Sequence, residues 1–167
     1  MSIIVGIDAS TNKTGIAVFE NGKYKTHTLI DLHKIKDSDV RIPKMMCEIC
    51  EYISQFKVDK IIMEESIFKT NIDTVKKLSN IAGAVMYYAT SHNIEFEFAL
   101  PTEWRKKIGL QQSKTVKREV LKAEAIKAVK QEYNMQLSDD ECEALLLARS
   151  GFDLPKIVIT EDDVWGI

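Results

Sequence analysis

The first thirty residues constrain the fold of this chain most, because they have the pattern of three consecutive strands. A β-branched apolar run covers 2–8, and a second apolar run covers 14–20 after a short loop. Asn21-Gly22 is a dipeptide that favours a type I′ hairpin turn, and the residues of 23–29 alternate in polarity after it. The chain is therefore predicted to begin with a three-stranded antiparallel meander.

The rest of the chain alternates between helical and extended patterns. Further strands are predicted at 58–64 and 94–99, and apolar residues at helical spacing predict helices at about 40–56, 72–91, 102–108, 114–131 and 138–150. A meander followed by alternating helices and strands predicts an α/β fold, in which two parallel strands extend the sheet to five and helices cover both faces. We expect one domain over 1–167, with a short acidic tail at 155–167 that either docks as a strand or is disordered.

Composition excludes several classes of protein. Hydrophobic residues make up 45% and charged residues 29% of the chain, as in ordinary globular domains. No apolar run approaches the ~20 residues of a membrane span, and the N-terminus lacks the basic region of a signal peptide. We expect a cytoplasmic protein (in the host cytoplasm if a phage encodes it) with no membrane partner. The helical spacing around Cys47 and Cys50 favours ordinary helix thiols over a redox or metal site.

Acidic side chains end two of the predicted apolar strands. Asp8 closes the first strand, and Glu64-Glu65 close the strand that begins at 58. Strand interiors disfavour aspartate, and burying a lone charge is costly, so each acid needs a local reason. For Asp8 the structural alternative is an Asx turn that caps the strand end. Because side chains alternate between the faces of a sheet, only one of Glu64 and Glu65 can point where Asp8 points.

A third acidic cluster opens the last predicted helix. Ser138 and Glu141 have the spacing of a capping box, and Asp139 lies in the first turn, where the helix dipole favours negative charge. Asp140 and Glu143 have no such explanation, and they share a helix face on which like charges repel unless a cation lies between them. Together with the strand-end acids, they would supply oxygen ligands to hard cations such as Mg²⁺, and two such ions support phosphodiester hydrolysis.

A basic block covers residues 105–130, where nine lysines and arginines face only two glutamates. Lys114, Arg118 and Lys122 are four residues apart, so they would share one face of the predicted helix, with Lys117 beside them. Such a face is either simply solvated or contacts phosphates. In a chain that also carries a set of metal-ligand acids, phosphate contact is the favoured interpretation.

Trp104 precedes Arg105-Lys106-Lys107, which places an aromatic ring beside positive charge. This combination suits stacking on a nucleic-acid base, and we include Arg105 in the predicted DNA-binding set. Tryptophan is nevertheless more often a core residue, and that is the favoured interpretation of Trp104.

Taken in order, these segments resemble the RuvC-type Holliday-junction resolvases of the ribonuclease H-like superfamily. Ile4-Val5-Gly6-Ile7-Asp8 with Thr14-Gly15-Ile16-Ala17 is similar to the family's opening strand and its return. Glu64, with Asn71, Leu78 and Gly83 after it, is similar to the second acidic strand and its helix, and this spacing favours Glu64 over Glu65. Asp140 and Glu143 resemble the closing D-x-x-D-A-L helix, although the last acid of that motif is usually aspartate. Ala9-Ser10 after the opening aspartate is closer to phage-type members.

The resemblance implies a ribonuclease H-like fold and a homodimeric endonuclease that resolves Holliday junctions or other branched DNA. It implies two Mg²⁺ ions per active site, for which Mn²⁺ can substitute, and the catalytic and metal-binding residues would be Asp8, Glu64, Asp140 and Glu143. The basic residue near the active site would be Lys114 or Lys117, and Phe68 would meet the bases of the junction. We therefore expect the four carboxylates to converge on one side of the sheet.

Three alternatives remain open. A nuclease of the same fold could act on RNA or on RNA–DNA hybrids. A nucleic-acid-binding module could keep the fold without cleaving, although the intact set of four acids argues against it. The segments Gly6–Thr11 and Gly15–Phe19 also resemble the phosphate loop of actin-like phosphotransferases, but that fold needs a second lobe that 167 residues do not provide.

Overall fold

The computed structural model describes residues 1–65, 71–111 and 116–160. Within these ranges the strands are β1 (Ile3–Asp8), β2 (Lys13–Glu20), β3 (Lys23–Asp31), β4 (Lys60–Glu64) and β5 (Glu95–Ala99). The helices are α1 (Ser38–Ile53), α2 (Ile72–Ser91), α3 (Pro101–Ile108), α4 (Arg118–Tyr133) and α5 (Asp139–Ser150). None of these helices is long and apolar enough to cross a membrane.

The strands form one mixed sheet in the order β3-β2-β1-β4-β5. The β1–β2 and β2–β3 pairs are antiparallel, and the β1–β4 and β4–β5 pairs are parallel. Asn21 (φ 52°) and Gly22 (φ 78°) both have the positive φ that a type I′ turn requires. The predicted meander with two added parallel strands is therefore confirmed.

Helices cover both faces of this sheet. The side chains of β1 alternate between two apolar clusters, one on each face. Val5 and Ile7 pack in one cluster with the buried faces of α1 and α2. Ile4 packs in the other with residues of α3, α4 and α5, among them Trp104 and Leu145. The predicted helical cover of both faces is confirmed.

Two glycines let α5 approach the sheet at backbone distance. A Cβ on Gly15 of β2 would lie 2.1 Å from the backbone oxygen of Asp140, and a Cβ on Gly6 of β1 would lie 2.3 Å from that of Ala144. Interiors are close-packed, so any larger residue at either position would push the helix away. The first turn of α5 is thereby placed directly over the ends of β1 and β2.

The basic segment differs from its prediction. Helix α4 begins at Arg118 rather than near 114, and Lys117 is its N-cap residue. Lys117 therefore precedes the helix instead of lying on its face, and Lys114 falls outside the described residues. A helix pattern alone does not fix the first turn when no Ser, Thr, Asp or Asn stands at the N-cap.

The beginning of the acidic tail packs on the helices without forming a strand, since residues 155–160 have no regular secondary structure. Ile157 is buried, and its backbone N–H donates to the Ile108 carbonyl at the end of α3 (2.8 Å). Arg149 of α5 donates to the Pro155 carbonyl (2.8 Å). Residues 161–167 lie outside the described residues.

Candidate active site

Asp8 and Glu64 lie side by side at the carboxyl ends of two parallel strands. The register pairs Ile7 of β1 with Met63 of β4, so the residues that follow each of them are neighbours. Ile4 and Ile62 point toward α5, and the period of two sends Asp8 and Glu64 to that same face. Glu65 follows the strand and is exposed. The structure therefore brings Glu64, and not Glu65, to the side of Asp8.

Helix α5 carries the other two predicted acids to this edge. Its backbone at Asp140 lies over Gly15, and Gly15 is the cross-strand partner of Asp8. After burial, the negative charges of Glu64, Glu143 and Asp140 are the causes that raise the pKa of Asp8 well above its ordinary value. The four carboxylates thus interact on one side of the sheet, as expected from the sequence.

The remaining acids of α5 have structural roles. Glu141 accepts from the Ser138 backbone N–H (3.0 Å) while the Ser138 hydroxyl accepts from the Glu141 N–H, which confirms the predicted capping box. Its other oxygen lies 3.4 Å from Nε2 of His27 on β3. Asp139 forms an ion pair with Lys122 of α4. These contacts give Glu141 and Asp139 structural roles that do not require participation in catalysis.

The electrostatics of the site penalise four negative charges. Burial and then the Glu143 charge raise the pKa of Glu64 from 4.5 to about 7. Burial is also the largest cause that raises the pKa values of Asp140 and Glu143. The acids therefore favour either bound protons or a bound cation at neutral pH.

Helix α3 supplies hydrogen bonds to both glutamates, and the sequence did not predict this. The Trp104 indole Nε1–H donates to Oε2 of Glu64 at 2.8 Å. Arg105 Nη1 lies 3.4 Å from Oε1 of Glu143. Among the described residues, no three His, Cys, Asp or Glu side chains already form a metal-binding group. The two glutamates are instead engaged by α3.

The prediction that Arg105 contacts DNA is wrong, because its side chain is only 2% exposed. The guanidinium donates to Glu124 (3.0 Å) and to the backbone carbonyls of Gln111 (2.9 Å) and Leu121 (2.8 Å). In the sequence Arg105 is indistinguishable from the lysines that follow it, because a run of charges does not indicate which side chain turns inward. Trp104, as favoured, is a core residue, also 2% exposed.

The other predicted DNA-binding residues are distributed around the acids. Arg118 is exposed at the start of α4, and its positive charge lowers the pKa values of Glu64, Asp140 and Glu143 against the effect of burial. Lys117 is exposed beside it, whereas the ammonium of Lys122 is already paired with Asp139. Lys114 and Phe68 lie outside the described residues. Positive charge therefore borders the acidic centre on the α4 side.

Comparison with known sequences identifies relatives of this chain. The family model described as "Crossover junction endodeoxyribonuclease RuvC" matches residues 4–147. The RuvC protein of Vibrio vulnificus is 29% identical over 103 residues, which cover 59% of this chain and 60% of the relative. That of Cronobacter sakazakii is 30% identical over 103 residues, with the same coverage of both chains. The chain thus spans about 60% of the length of these curated relatives.

Solved structures share the fold at low sequence identity. RuvC of T. thermophilus in complex with a Holliday junction substrate superposes with a TM-score of 0.71 at 15% identity, over 90% of this chain and 92% of that one. The Fowlpox virus resolvase, in complex with Holliday junction DNA, gives a TM-score of 0.61 at 16% identity, over 89% and 95%. These likenesses establish the ribonuclease H-like fold. Because the family model covers most of the chain and its acids meet at one edge of that fold, the chain belongs to the RuvC family of crossover junction endodeoxyribonucleases.

Proposed function

We propose that this protein is a metal-dependent endonuclease that hydrolyses phosphodiester bonds in Holliday junctions or related branched DNA. The observation that carries the proposal is the meeting of Asp8, Glu64, Asp140 and Glu143 on one side of the sheet. Membership of the RuvC family supports the same activity. Relatives named crossover junction endodeoxyribonuclease, and related structures solved with junction DNA, favour branched DNA over RNA or RNA–DNA hybrids.

The donor set fits a hard divalent cation. All four side chains offer carboxylate oxygens, which Mg²⁺ and Mn²⁺ prefer, and no cysteine belongs to the set. The burial and mutual repulsion that raise the pKa of Asp8 are the penalties that a cation relieves. We assign Asp8, Glu64, Asp140 and Glu143 as ligands of two Mg²⁺ ions, for which Mn²⁺ can substitute. When bound, such ions activate water and stabilise the leaving oxygen.

The residues of the chain would place the scissile phosphate. Arg118 and Lys117 are exposed at the start of α4 and would bind phosphates of the backbone beside the acids. Because these contacts are to phosphates, DNA binding should be salt-sensitive and largely independent of sequence. We also propose Lys114, from its place in the basic segment and the family resemblance, and Phe68, from the resemblance, as further DNA contacts.

Resolution of a four-way junction needs two cuts, and the chain has a single acidic centre among its described residues. We therefore extend the proposal to a homodimer in which each copy cuts one strand. A two-fold dimer presents two identical centres in opposite orientations, as two related strands of a junction require.

The test is cleavage of a four-way junction beside a duplex and an RNA–DNA hybrid of the same sequence, with Mg²⁺ or with EDTA. We expect junction cleavage with Mg²⁺ only. Asp8→Asn and Glu64→Gln should each reduce it by about 100-fold or more, since each removes a charge that balances the metal. Glu65→Gln is the matched control for Glu64→Gln and should cleave as the wild type does.

Two results would reject parts of this proposal. Cleavage that survives Asp8→Asn, or that proceeds in EDTA, would reject the metal-dependent centre. Equal cutting of the hybrid and the junction would keep the nuclease and reject the substrate.

A further inference from the structure

We propose that Trp104 and Arg105, neighbours on α3, are positioning residues that orient the metal-binding carboxylates of Glu64 and Glu143. This inference rests on the proposed function, because it assumes that both glutamates bind metal. Helix α3 begins at Pro101, directly after β5, and Ala99 at the end of β5 is the register partner of Glu64. The helix therefore starts beside one of the two ligands.

Trp104 has the geometry of a fixed donor. Its ring lies in the core cluster beneath α5, where it is 2% exposed, so packing determines where the indole N–H points. That N–H can only donate, and it donates to Oε2 of Glu64 at 2.8 Å. This hydrogen bond fixes Oε2 of Glu64, whereas Oε1 of Glu64 has no side-chain donor among the described residues.

Arg105 is fixed more strongly, because three acceptors determine the plane of its guanidinium. Nε donates to the Gln111 carbonyl, and Nη2 donates to the Leu121 carbonyl and to Glu124. The remaining group, Nη1, is thereby directed at Oε1 of Glu143, 3.4 Å away. A planar guanidinium suits this arrangement, whereas the ammonium of a lysine could not make all of these contacts at once.

The two residues also restrain each other. The Arg105 guanidinium carbon lies 5.2 Å from the centroid of the Trp104 ring, within cation–π distance. Through this unit α3 links a ligand on β4 to a ligand on α5. Carboxylates that repel one another need such restraints, and loss of a hydrogen-bonding partner of a metal ligand typically reduces metal affinity by about 10–100-fold.

The test is calorimetric titration of the full-length protein with Mg²⁺ alone, in the absence of DNA. Trp104→Phe keeps an aromatic ring in the core and removes the donor together with part of the ring volume, and we expect it to weaken Mg²⁺ binding by about tenfold or more. Arg105→Lys keeps the positive charge but loses the planar guanidinium with its several N–H donors. We expect it to weaken Mg²⁺ binding to the same extent. Trp165→Phe changes the other tryptophan of the chain and is the matched control, with unchanged affinity expected.

A second measurement follows the Trp104 N–H itself. In the Trp165→Phe protein, the single indole N–H signal in a ¹H–¹⁵N NMR spectrum belongs to Trp104, and it should shift as Mg²⁺ is added. Circular dichroism and thermal unfolding establish that each variant is folded. If Arg105→Lys does not fold because of its buried partners, Trp104→Phe alone decides the outcome.

The outcomes distinguish this inference from the function on which it rests. Folded Trp104→Phe protein with wild-type affinity, alongside Asp8→Asn protein that no longer binds Mg²⁺, would overturn the positioning role and leave the nuclease proposal standing. Asp8→Asn protein that binds Mg²⁺ as the wild type does would overturn the metal centre, and the positioning role with it.

Discussion

At the scale of single residues, Glu64 combines two demands that oppose each other. As a proposed metal ligand it must be ionised, yet it is half-buried among other acids, and burial is the first cause that raises its pKa to about 7. The Trp104 hydrogen bond and the charges of Arg105 and Arg118 lower that pKa and offset part of the cost. A site prepared for a cation is therefore electrostatically unfavourable without one.

This conflict predicts how the stability of the metal-free protein depends on pH. A carboxyl whose pKa rises from 4.5 to about 7 on folding holds its proton more tightly in the native state across that interval. The free energy of unfolding should therefore fall as pH rises from 4.5 to about 7, by roughly 1–3 kcal/mol from this residue. Urea unfolding in EDTA at several pH values measures the fall.

Two comparisons test the assignment to Glu64. Glu64→Gln is neutral at every pH and should flatten the decline, although the raised pKa of Asp8 leaves part of it. Glu65→Gln should retain the full decline. Added Mg²⁺ should restore stability at pH 7, because it binds only the native state. A free energy of unfolding that stays level or rises between pH 4.5 and 7 in EDTA would contradict this account.

At the scale of elements, the position of α5 depends on residues that have no side chain. Gly15 lets the helix backbone at Asp140 come close to β2, and a Cβ there would lie 2.1 Å from a backbone oxygen, which cannot move aside as a flexible side chain could. Two of the four acids depend on this contact, because Asp140 and Glu143 belong to the first two turns of α5.

We therefore predict that Gly15→Ala impairs stability and metal binding together. The added methyl group should push the start of α5 outward and cost about 1–3 kcal/mol or more in the free energy of unfolding. Gly83→Ala is the matched control, since a Cβ on Gly83 of α2 would meet nothing within 4 Å beyond the adjoining backbone of its own helix, and it should stabilise by about 0.5–1 kcal/mol. Denaturant unfolding and Mg²⁺ titration of both proteins provide the comparison. Equal behaviour of the two variants would refute the close approach.

The strands and helices are more predictable from the sequence than the contacts between them. Strands, helices and the Asn21-Gly22 turn were predicted because periodicity and turn chemistry are local. The first turn of α4 was misplaced, because Lys117 at its N-cap gives no side-chain signal. The hydrogen bonds of α3 could not be predicted either, since Trp104 and Arg105 reach partners 40 and 38 residues away in the chain. Contacts of that kind depend on how helices pack on the sheet, which no local pattern encodes.

At the scale of the whole molecule, the sheet gathers acids from three distant parts of the chain. Asp8 and Glu64 come from parallel strands that lie side by side only because β4 is added next to β1, outside the opening meander. The sequence alone identified these acids as candidate metal ligands, and the family resemblance implied that they form one site. The pattern alone left an Asx turn open as a structural explanation of Asp8, and the sheet order instead places Asp8 beside Glu64.

The proposed homodimer leads to a prediction about the assembled molecule. A supercoiled plasmid that extrudes a cruciform carries a four-way junction, and two cuts across it give linear DNA whereas one cut gives a nicked circle. Wild-type protein should produce linear DNA. Protein co-expressed with an excess of tagged Asp8→Asn chains, and purified as the mixed dimer, has one working centre and should accumulate nicked circles. A monomer that cuts twice in succession would yield no mixed dimer to purify, sedimentation would show a single chain, and its mixture with Asp8→Asn chains would still give linear DNA. Since asparagine has the size of aspartate and position 8 is not among the proposed phosphate contacts, we expect the inactive chain to keep its fold and its DNA-binding surface. The product distribution then reports on how many acidic centres act on one junction.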